Sequence, residues 1–205
     1  LHSIGVSADE IGGALGRPVS STSAGKPAQY FVIHDTSTPN LKTQPIPAGI
    51  DSPSWKFNKL DRWKDDPKAH IFIARTGGSL TTHDYSEPWR ATKTESCVLL
   101  LPSKGLFLHH ELVQPRRSDP DGKAGNDHFA PEPPLQAITD AQLDRLALAY
   151  VAASLRARHW LVPAFHATID QGIGDGHDDP QGFRLSDWAT RVAQLIAAVK
   201  AAPSQ

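Results

Sequence analysis

The chain has 205 residues, of which 39% are hydrophobic and 21% are charged, and its formal net charge is −1. These values are typical of a globular protein with one sizeable core, and we expect a single domain over residues 1–205. No apolar run approaches the about 20 residues that a membrane-spanning helix needs, so no transmembrane segment is expected. The near-zero charge disfavours a nucleic-acid partner, because proteins that bind nucleic acids usually carry a strongly basic face.

Cys97 is the one cysteine in the sequence. No disulfide can therefore form within the chain, and no multi-thiolate zinc site is available. The sequence begins at Leu1 and contains no methionine, which favours a mature or trimmed chain over a raw translation product.

The N-terminal part of the chain predicts a short helix followed by a buried strand. Ser7 can cap a helix over residues 7–15, with Glu10 in the capping-box position three residues later. A loop rich in serine, glycine and threonine then leads to residues 29–34, whose β-branched and aromatic side chains predict a strand. His34 closes that strand, where a side chain can point out of the sheet into a cleft.

The middle of the chain predicts loops and further strands. Residues 35–53 contain four prolines and a glycine, which favours a long loop that borders a cleft. The elements predicted after this loop are, in order, a short helix near Trp55 to Trp63, a hairpin from His70 to His83 with its turn at Gly77-Gly78, an apolar run from Ser96 to Leu101, and a strand over residues 105–113. Alternation along that last strand places Phe107, His109 and Glu111 on one face.

Two amphipathic helices are predicted near the C-terminus. Residues 116–134 are rich in proline and aspartate and predict a surface loop. Thr139 and Gln142 form a capping box for the first helix, and the second helix begins at about Ser186. Strands early and helices late predict an α/β fold, with a central mixed β-sheet flanked by helices.

The stretch around His166 and Asp179 contains residue types that are typical of a metal site. These two potential ligands are separated by a flexible loop with three glycines, which can bring both onto one ion. Imidazole and carboxylate groups are the ligands of hydrolytic zinc sites, which typically take three ligands from the protein and keep one position for water. His34 is the best candidate for the third ligand. The alternative for each histidine taken alone is a hydrogen-bonded structural role.

Several features, in their order along the chain, resemble the zinc-dependent N-acetylmuramoyl-L-alanine amidases of the type 2 amidase, or peptidoglycan recognition protein, family: Val32-Ile33-His34, Ala69-His70-Ile71, Trp89, Glu111-Leu112 and the segment from His166 to Asp179-Pro180. The order of elements matches over roughly Phe31 to Val199. The resemblance implies a catalytic core over residues 29–200, preceded by an N-terminal helix and lead-in loop over residues 1–28.

The resemblance also implies roles for individual residues. His34, His166 and Asp179 occupy the places of the zinc ligands, and one zinc ion per chain is expected. Glu111 occupies the place of the general base, which the family usually carries in the sequence Gly-Ile-Glu-Leu. Here His109 replaces the glycine, so an alternative is that His109 transfers the proton and Glu111 orients it.

Two further positions depart from the family pattern. His177 stands where the family often has a lysine that stabilises the oxyanion, and an imidazole can fill that role with a steeper pH dependence. Trp89-Arg90-Ala91-Thr92 stands where relatives often have Trp-His-Ala-Gly, in a segment that borders the cleft. We expect Trp89 and His109 to contact substrate, and the departure at residues 89–92 bears on the sugar or peptide specificity.

The expected activity is hydrolysis of the amide bond between N-acetylmuramic acid and L-alanine, with peptidoglycan or a muropeptide as substrate. The location expected from the resemblance is the cell envelope, either periplasmic or secreted. One alternative is a peptidoglycan-binding module that has lost catalysis, although all three ligand positions are filled here. Another is a zinc nuclease built on His109 and His110, which the near-neutral charge disfavours.

Overall fold

A computed structural model describes residues 6–42, 44–97, 103–117, 131, 135–173 and 177–201. These residues form a five-stranded sheet composed of β1 (Tyr30–Asp35), β2 (Ile71–Ile73), β3 (Ser79–Thr81), β4 (Phe107–Leu112) and β5 (Val162–Phe165). The strand order is β3-β2-β4-β1-β5. Strand β3 is antiparallel to β2, and the other neighbours are parallel. The mixed sheet predicted from the sequence is confirmed.

Helices flank this sheet on both faces. They are α1 (Arg62–Asp65), α2 (Thr94–Cys97), α3 (Asp140–Ala157), α4 (His166–Ile169) and α5 (Leu185–Ala201). Helix α3 begins as predicted, because the Thr139 side chain accepts a hydrogen bond from the Gln142 backbone and the Gln142 side chain accepts one from the Thr139 backbone. None of the helices among the described residues is both long and apolar enough to cross a membrane.

The alternation of β1 divides its side chains between two different environments. Phe31 and Ile33 belong to the main core, which α3 and α5 complete. The ring of Phe31 packs edge-on against Tyr150 and is stacked with Trp188. His34 lies on the opposite face of the strand, with Val32, and among the described residues the helices on that face are short, as α1 is. The long helices therefore complete the main core on one face, and the other face carries smaller apolar clusters beside His34 and Glu111.

The N-terminal helix predicted over residues 7–15 is much shorter in the structure. Its capping box forms between Ser7 and Glu10, but the helix is a single 3-10 turn over Ala8–Glu10. Gly12 and Gly13 follow with φ angles of 80° and 107°, in the left-handed region that glycine favours. The chain turns there, so the helical spacing of the later apolar residues does not produce a longer helix.

Strand β5 was not predicted from the sequence. It contains Pro163 and lies at the edge of the sheet, where it pairs with β1 alone among the described strands. Proline is tolerated in such a position because an edge strand has hydrogen bonds on one side only. In the apolar run from Ser96 to Leu101, α2 ends at Cys97, and residues 98–102 lie outside the described residues, as does most of the predicted surface loop over residues 116–134.

Candidate metal centre

The candidate metal ligands come together at the carboxyl ends of parallel strands. His34 is the fifth residue of β1, and His166 directly follows β5 as the first residue of α4. Because Ile33 pairs with Phe165 in the parallel register, the two histidines leave neighbouring strands side by side. Ligand sites in α/β sheets typically lie at this end of the strands.

Two imidazole nitrogens and the two carboxylate oxygens of Asp179 face one another at this point. Nδ1 of His34 lies 2.9 Å from Nδ1 of His166. Oδ1 of Asp179 lies 3.1 Å from Nδ1 of His166, and Oδ2 of Asp179 lies 3.6 Å from Nδ1 of His34. All three residues are buried, and together they form a group that could hold a metal ion.

The spacing of these atoms matches a tetrahedral metal site. Ligand bonds of about 2.0–2.1 Å in a tetrahedron place the ligand atoms roughly 3.3–3.4 Å apart. The two Nδ1 atoms lie 2.9 Å apart, and each lies 3.1 or 3.6 Å from its nearer Asp179 oxygen, so the separations are within about 0.5 Å of that value. Oδ1 of Asp179 is buried near two imidazoles, yet it has no well-aligned hydrogen bond among the described residues. The group therefore fits a cation such as zinc.

Each candidate ligand imidazole uses its second nitrogen for a contact behind the site. Nε2 of His34 lies 3.0 Å from Nδ1 of His109. Nε2 of His166 lies 2.9 Å from Oδ2 of Asp170, and the other carboxylate oxygen of Asp170 accepts a hydrogen bond from the backbone of Thr94. The Asp170 carboxylate favours the proton of His166 on Nε2, and the contact of His34 with His109 allows the same tautomer, which leaves both Nδ1 atoms to bind a metal.

Asp179 is fixed by the main chain next to both histidines. Its Oδ2 accepts a hydrogen bond of 3.1 Å from the backbone of Asp35, and its carbonyl accepts one of 3.0 Å from the backbone of Ala167. In return, the backbone of Gln181 donates a 2.8 Å hydrogen bond to Oδ2 of Asp35. The segment that carries Asp179 is thereby joined to β1 and α4 in the geometry that the group requires.

The charges in the pocket also favour a cation. Burial opposes protonation of His166, but the carboxylates of Asp179 and Asp170 outweigh it and raise the pKa of that imidazole. Burial, followed by the repulsion from Asp179, raises the pKa of Asp35 to about 7. Burial, followed by repulsion from Asp179 and Asp35, raises the pKa of Glu111 well above its usual value. Three carboxyl groups thus share one low-dielectric space, where a bound cation would favour their charged forms.

Glu111 lies directly beside the candidate ligands. It pairs with His34 across β4 and β1, and the alternation of both strands places the two side chains on the same face. One of its carboxylate oxygens, Oε2, is buried and has no hydrogen-bond partner among the described residues. A cavity of about 190 Å³ opens beside it, lined in part by Thr36, Thr38, Arg62, Asp66 and Lys68.

A larger apolar cavity runs along β5, from the first residues of β1 and β4 as far as α4. Its volume is about 680 Å³, and its walls include Tyr30, Phe107 and Pro163. Tyr30 and Phe107 are the first residues of β1 and β4, whereas the candidate ligands lie at the other ends of the strands. None of the candidate ligands or catalytic residues lines this cavity. Glu111 lines the smaller cavity and not this one, which makes the smaller cavity the better candidate for the reaction site.

His177 and Trp89 lie around the site in different ways. The ring of His177 stacks on that of His166 with a centroid distance of 4.7 Å, and its Nδ1 lies 3.4 Å from Oδ1 of Asp179. Its side chain is 58% exposed, so it faces the solvent side of the group. Trp89 stacks on His83 and donates a hydrogen bond from Nε1 to the carbonyl of Lys68, a residue of the cavity wall.

The position of His109 differs from the predicted substrate contact. This residue has no exposed surface, and its Nδ1 and Nε2 lie 3.0 Å from His34 and 3.1 Å from Glu95. A side chain in this position has no surface with which to touch substrate, and both of its ring nitrogens face other buried side chains rather than a substrate water. The prediction that His109 binds substrate, and the alternative that it acts as the base, are therefore corrected.

Two residues behind the ligands were not found by the sequence analysis. Asp170 follows His166 by four residues, a spacing that brings two side chains together on a helix and would have indicated a histidine–carboxylate pair. Glu95 has no such local signal. Its partner His109 is remote in sequence, so the contact arises only from the fold.

Comparison with known proteins gives a structural likeness without a sequence match. No family model matches the sequence, and no curated protein matches it. The crystal structure of a selenomethionine derivative of AmpD is similar, with a TM-score of 0.52 and 16% identity, over 91% of this chain and 99% of the AmpD chain. The Ph2119 endolysin from Thermus scotoductus MAT2119 bacteriophage Ph2119 has a TM-score of 0.44 and 15% identity, over 87% of this chain and 90% of that chain. The likeness to AmpD shows that this chain has the type 2 amidase fold, as the sequence resemblance predicts.

Proposed function

We propose that this protein is a zinc-dependent N-acetylmuramoyl-L-alanine amidase, which hydrolyses the amide bond between N-acetylmuramic acid and L-alanine in peptidoglycan. The observation that carries the proposal is the buried group of His34, His166 and Asp179, set beside Glu111 on a type 2 amidase fold. Residues 1–205 would then form one amidase domain that works in the cell envelope, in the periplasm or after secretion.

His34, His166 and Asp179 would hold one zinc ion through Nδ1, Nδ1 and a carboxylate oxygen. Zinc with such a ligand set supplies Lewis acidity, which activates water and polarises an amide carbonyl. Asp179 would supply the negative charge among these ligands. Burial raises its pKa, but His166, His177 and His34 outweigh burial and hold the pKa well below the usual range. Asp179 is therefore ionised at any pH at which the two imidazoles can bind.

Glu111 would act as the general base and then as the general acid. Its pairing with His34 and its position in the cavity wall support this role, in which its carboxylate would lie next to a water that meets the metal group from the solvent side. It would take a proton from the attacking water and return it to the leaving nitrogen of L-alanine. Such a positioned group typically increases the rate by a factor of roughly 10²–10⁴.

His177 would stabilise the negative charge that develops on the amide oxygen. It is the exposed imidazole next to Asp179, so it can approach a substrate that enters from solvent. A hydrogen-bond donor in this role is worth about 2.7–4 kcal/mol in other hydrolases. Nδ1 lies near Asp179, and the other ring nitrogen, Nε2, would point to the substrate.

The cavity beside Glu111 would receive the substrate next to its scissile bond. Its wall is polar, with hydroxyl groups from Thr36 and Thr38 and charged groups from Arg62, Asp66 and Lys68. These groups suit the sugar hydroxyls, amides and carboxylates of a muropeptide. Trp89 would frame this wall through its hydrogen bond to the carbonyl of Lys68.

The experiment that tests the proposal is digestion of purified sacculi by the zinc-loaded protein. We expect release of peptides with a free N-terminal alanine and intact glycan strands, loss of release with a chelator, and recovery when zinc is added back. Glu111→Gln in the same assay is the matched control for contaminating hydrolases. Binding to sacculi without peptide release would instead support a non-catalytic peptidoglycan-binding module, and release of reducing sugar ends would indicate a glycosidase.

A further inference from the structure

His109 and Glu95 form a buried pair directly behind one candidate metal ligand. His109 has no exposed surface, and the Glu95 side chain likewise has none. Nδ1 of His109 lies 3.0 Å from Nε2 of His34, and Nε2 of His109 lies 3.1 Å from Oε2 of Glu95. The contact with Glu95 is short but poorly aligned as a hydrogen bond. The chain of contacts thus runs from Glu95 through His109 to His34.

One distribution of protons satisfies every contact in this chain. If Nδ1 of His34 binds a metal, its proton must be on Nε2, which then donates to Nδ1 of His109. The proton of neutral His109 is then on Nε2, on the side of the Glu95 carboxylate. Each imidazole therefore has its proton on the nitrogen that faces away from the metal group, and the charge of Glu95 favours this arrangement over the reverse one.

Glu95 is held in place by the chain segment that precedes it. Its Oε2 accepts hydrogen bonds from the backbone of Ala91, from the backbone of Thr92 and from the Thr92 hydroxyl, at 2.9 to 3.0 Å. Burial opposes ionisation of Glu95, but His109 and these donors outweigh it and lower its pKa. A fixed carboxylate is therefore available to orient His109.

We propose that Glu95 and His109 are positioning residues, which fix the ring orientation and the proton of His34 so that its Nδ1 binds zinc. This inference rests on the zinc site of the proposed function and extends it to two residues that touch neither metal nor substrate. It also explains the histidine at position 109, where the family that the sequence resembles usually has glycine. Without the pair, His34 could turn its ring or carry its proton on Nδ1, and its contribution to zinc binding would fall.

The test is the zinc dissociation constant, measured by competition with a chromophoric chelator of known affinity. The wild type is compared with His109→Leu, which removes the acceptor, and with Glu95→Gln, which keeps the shape of the side chain and removes its charge. We expect both to weaken zinc binding, by roughly 10–100-fold for His109→Leu, as is typical for partners of metal-bound histidines. His109→Gln, which retains an acceptor for His34, should recover part of the affinity.

The matched control is His110→Gln. His110 is the next residue of β4 and is equally buried, but it lies on the other face, where it contacts the Tyr85 hydroxyl and the carbonyl of Val32. We expect this variant to lose stability and to keep the zinc affinity of the wild type. The visible spectrum of the cobalt-substituted proteins gives a second measurement, since it should change in His109→Leu and not in His110→Gln.

The outcomes separate this inference from the proposed function. Zinc binding by the wild type, with an affinity unchanged within about twofold in both His109→Leu and Glu95→Gln, would overturn the positioning role alone. A wild type that binds no zinc would overturn the proposed function and this inference with it. If His109→Leu does not fold, the isosteric Glu95→Gln decides the question.

Discussion

His34 and Glu111 lie opposite each other on the adjacent parallel strands β1 and β4. Neighbouring strands are about 4.8 Å apart, so a candidate metal ligand and a candidate base are held at a distance set by main-chain hydrogen bonds. A base on a strand is positioned more precisely than one on a loop, because the ladder fixes its backbone on both sides. Glu111 also has a strand on each side, since β4 pairs with both β1 and β2.

This relationship predicts the behaviour of Glu111→Gln. The amide keeps the size of the side chain and cannot take a proton from water, so turnover on sacculi should fall by about 10²-fold or more. The zinc content and the unfolding midpoint of the zinc-loaded protein should remain close to those of the wild type. A variant that keeps a near-normal rate would show that another group is the base.

The metal ligands are tested by elemental analysis of purified variants. His34→Ala and His166→Ala should each lose the bound zinc, and activity with it, because a catalytic zinc site typically needs three protein ligands and only two would remain. One tightly bound zinc per chain in His166→Ala would contradict the assignment. His177 would then be the next ligand to test, since its Nδ1 lies 3.4 Å from Asp179, whereas His110 is excluded by its place on the other face of β4.

The role of His177 is tested by a pair of substitutions. His177→Ala should keep the zinc and lower kcat by roughly 10²–10³-fold, the loss seen when a donor to an oxyanion is removed. His177→Lys should restore much of that rate, because an ammonium group can donate to the same oxygen. Equal rates for the wild type and His177→Ala, measured on soluble muropeptide, would show that the ring only packs against His166.

Buried neutral histidines predict an acid-sensitive fold. Burial lowers the pKa of His70 and of His110 well below the ordinary value. Below about pH 6.5 these histidines take up protons in the unfolded chain but not in the folded protein. Their contribution to the free energy of unfolding is therefore fully present above that pH and is lost as the pH falls. Each histidine lowers the free energy of unfolding by at most about 1.4 kcal/mol for each pH unit of acidification.

The measurement is urea unfolding of the metal-free protein at about pH 7 and about pH 5. The loss of stability between these two values should be smaller in His110→Gln than in the wild type, because one of the histidines that titrate on unfolding is gone. The use of metal-free protein removes the pH dependence of zinc binding from the comparison. An equal loss in both proteins would contradict the prediction.

Local sequence rules predict the elements that local interactions determine. The capping box of Thr139 and Gln142 and the apolar stripe behind it are enough to predict the start of α3. The strand ending at His34 is predicted by its β-branched and aromatic residues. Strand β5 is not predictable in this way, because Pro163 disfavours a strand and only pairing with β1 compensates for it. The prediction of a longer N-terminal helix is wrong for the opposite reason. The cap at Ser7 is correct, but Gly12 and Gly13 turn the chain and end the helix early.

The candidate ligands can be predicted from the sequence because histidine and aspartate are residue types that bind metals. The contacts behind them are not, because they depend on where remote segments meet. From the sequence, His109 is one of two residues that share a strand face with Glu111, which suggests a place in the cleft. In the fold, Glu95 and the ring of His34 enclose it, and its role changes from the predicted substrate contact to the positioning role proposed above.

The hydrogen bonds that Asp179 accepts from the backbone of Asp35 and of Ala167 have a consequence for how the metal is acquired. The segment cannot swing away from β1 and α4 without breaking them. Its ordering is therefore completed when the protein folds, and little conformational entropy remains to be lost when an ion arrives. We expect the rate of metal uptake to be limited by the release of water from the ion rather than by closure of a loop. Protein emptied with a chelator should accordingly refill without refolding.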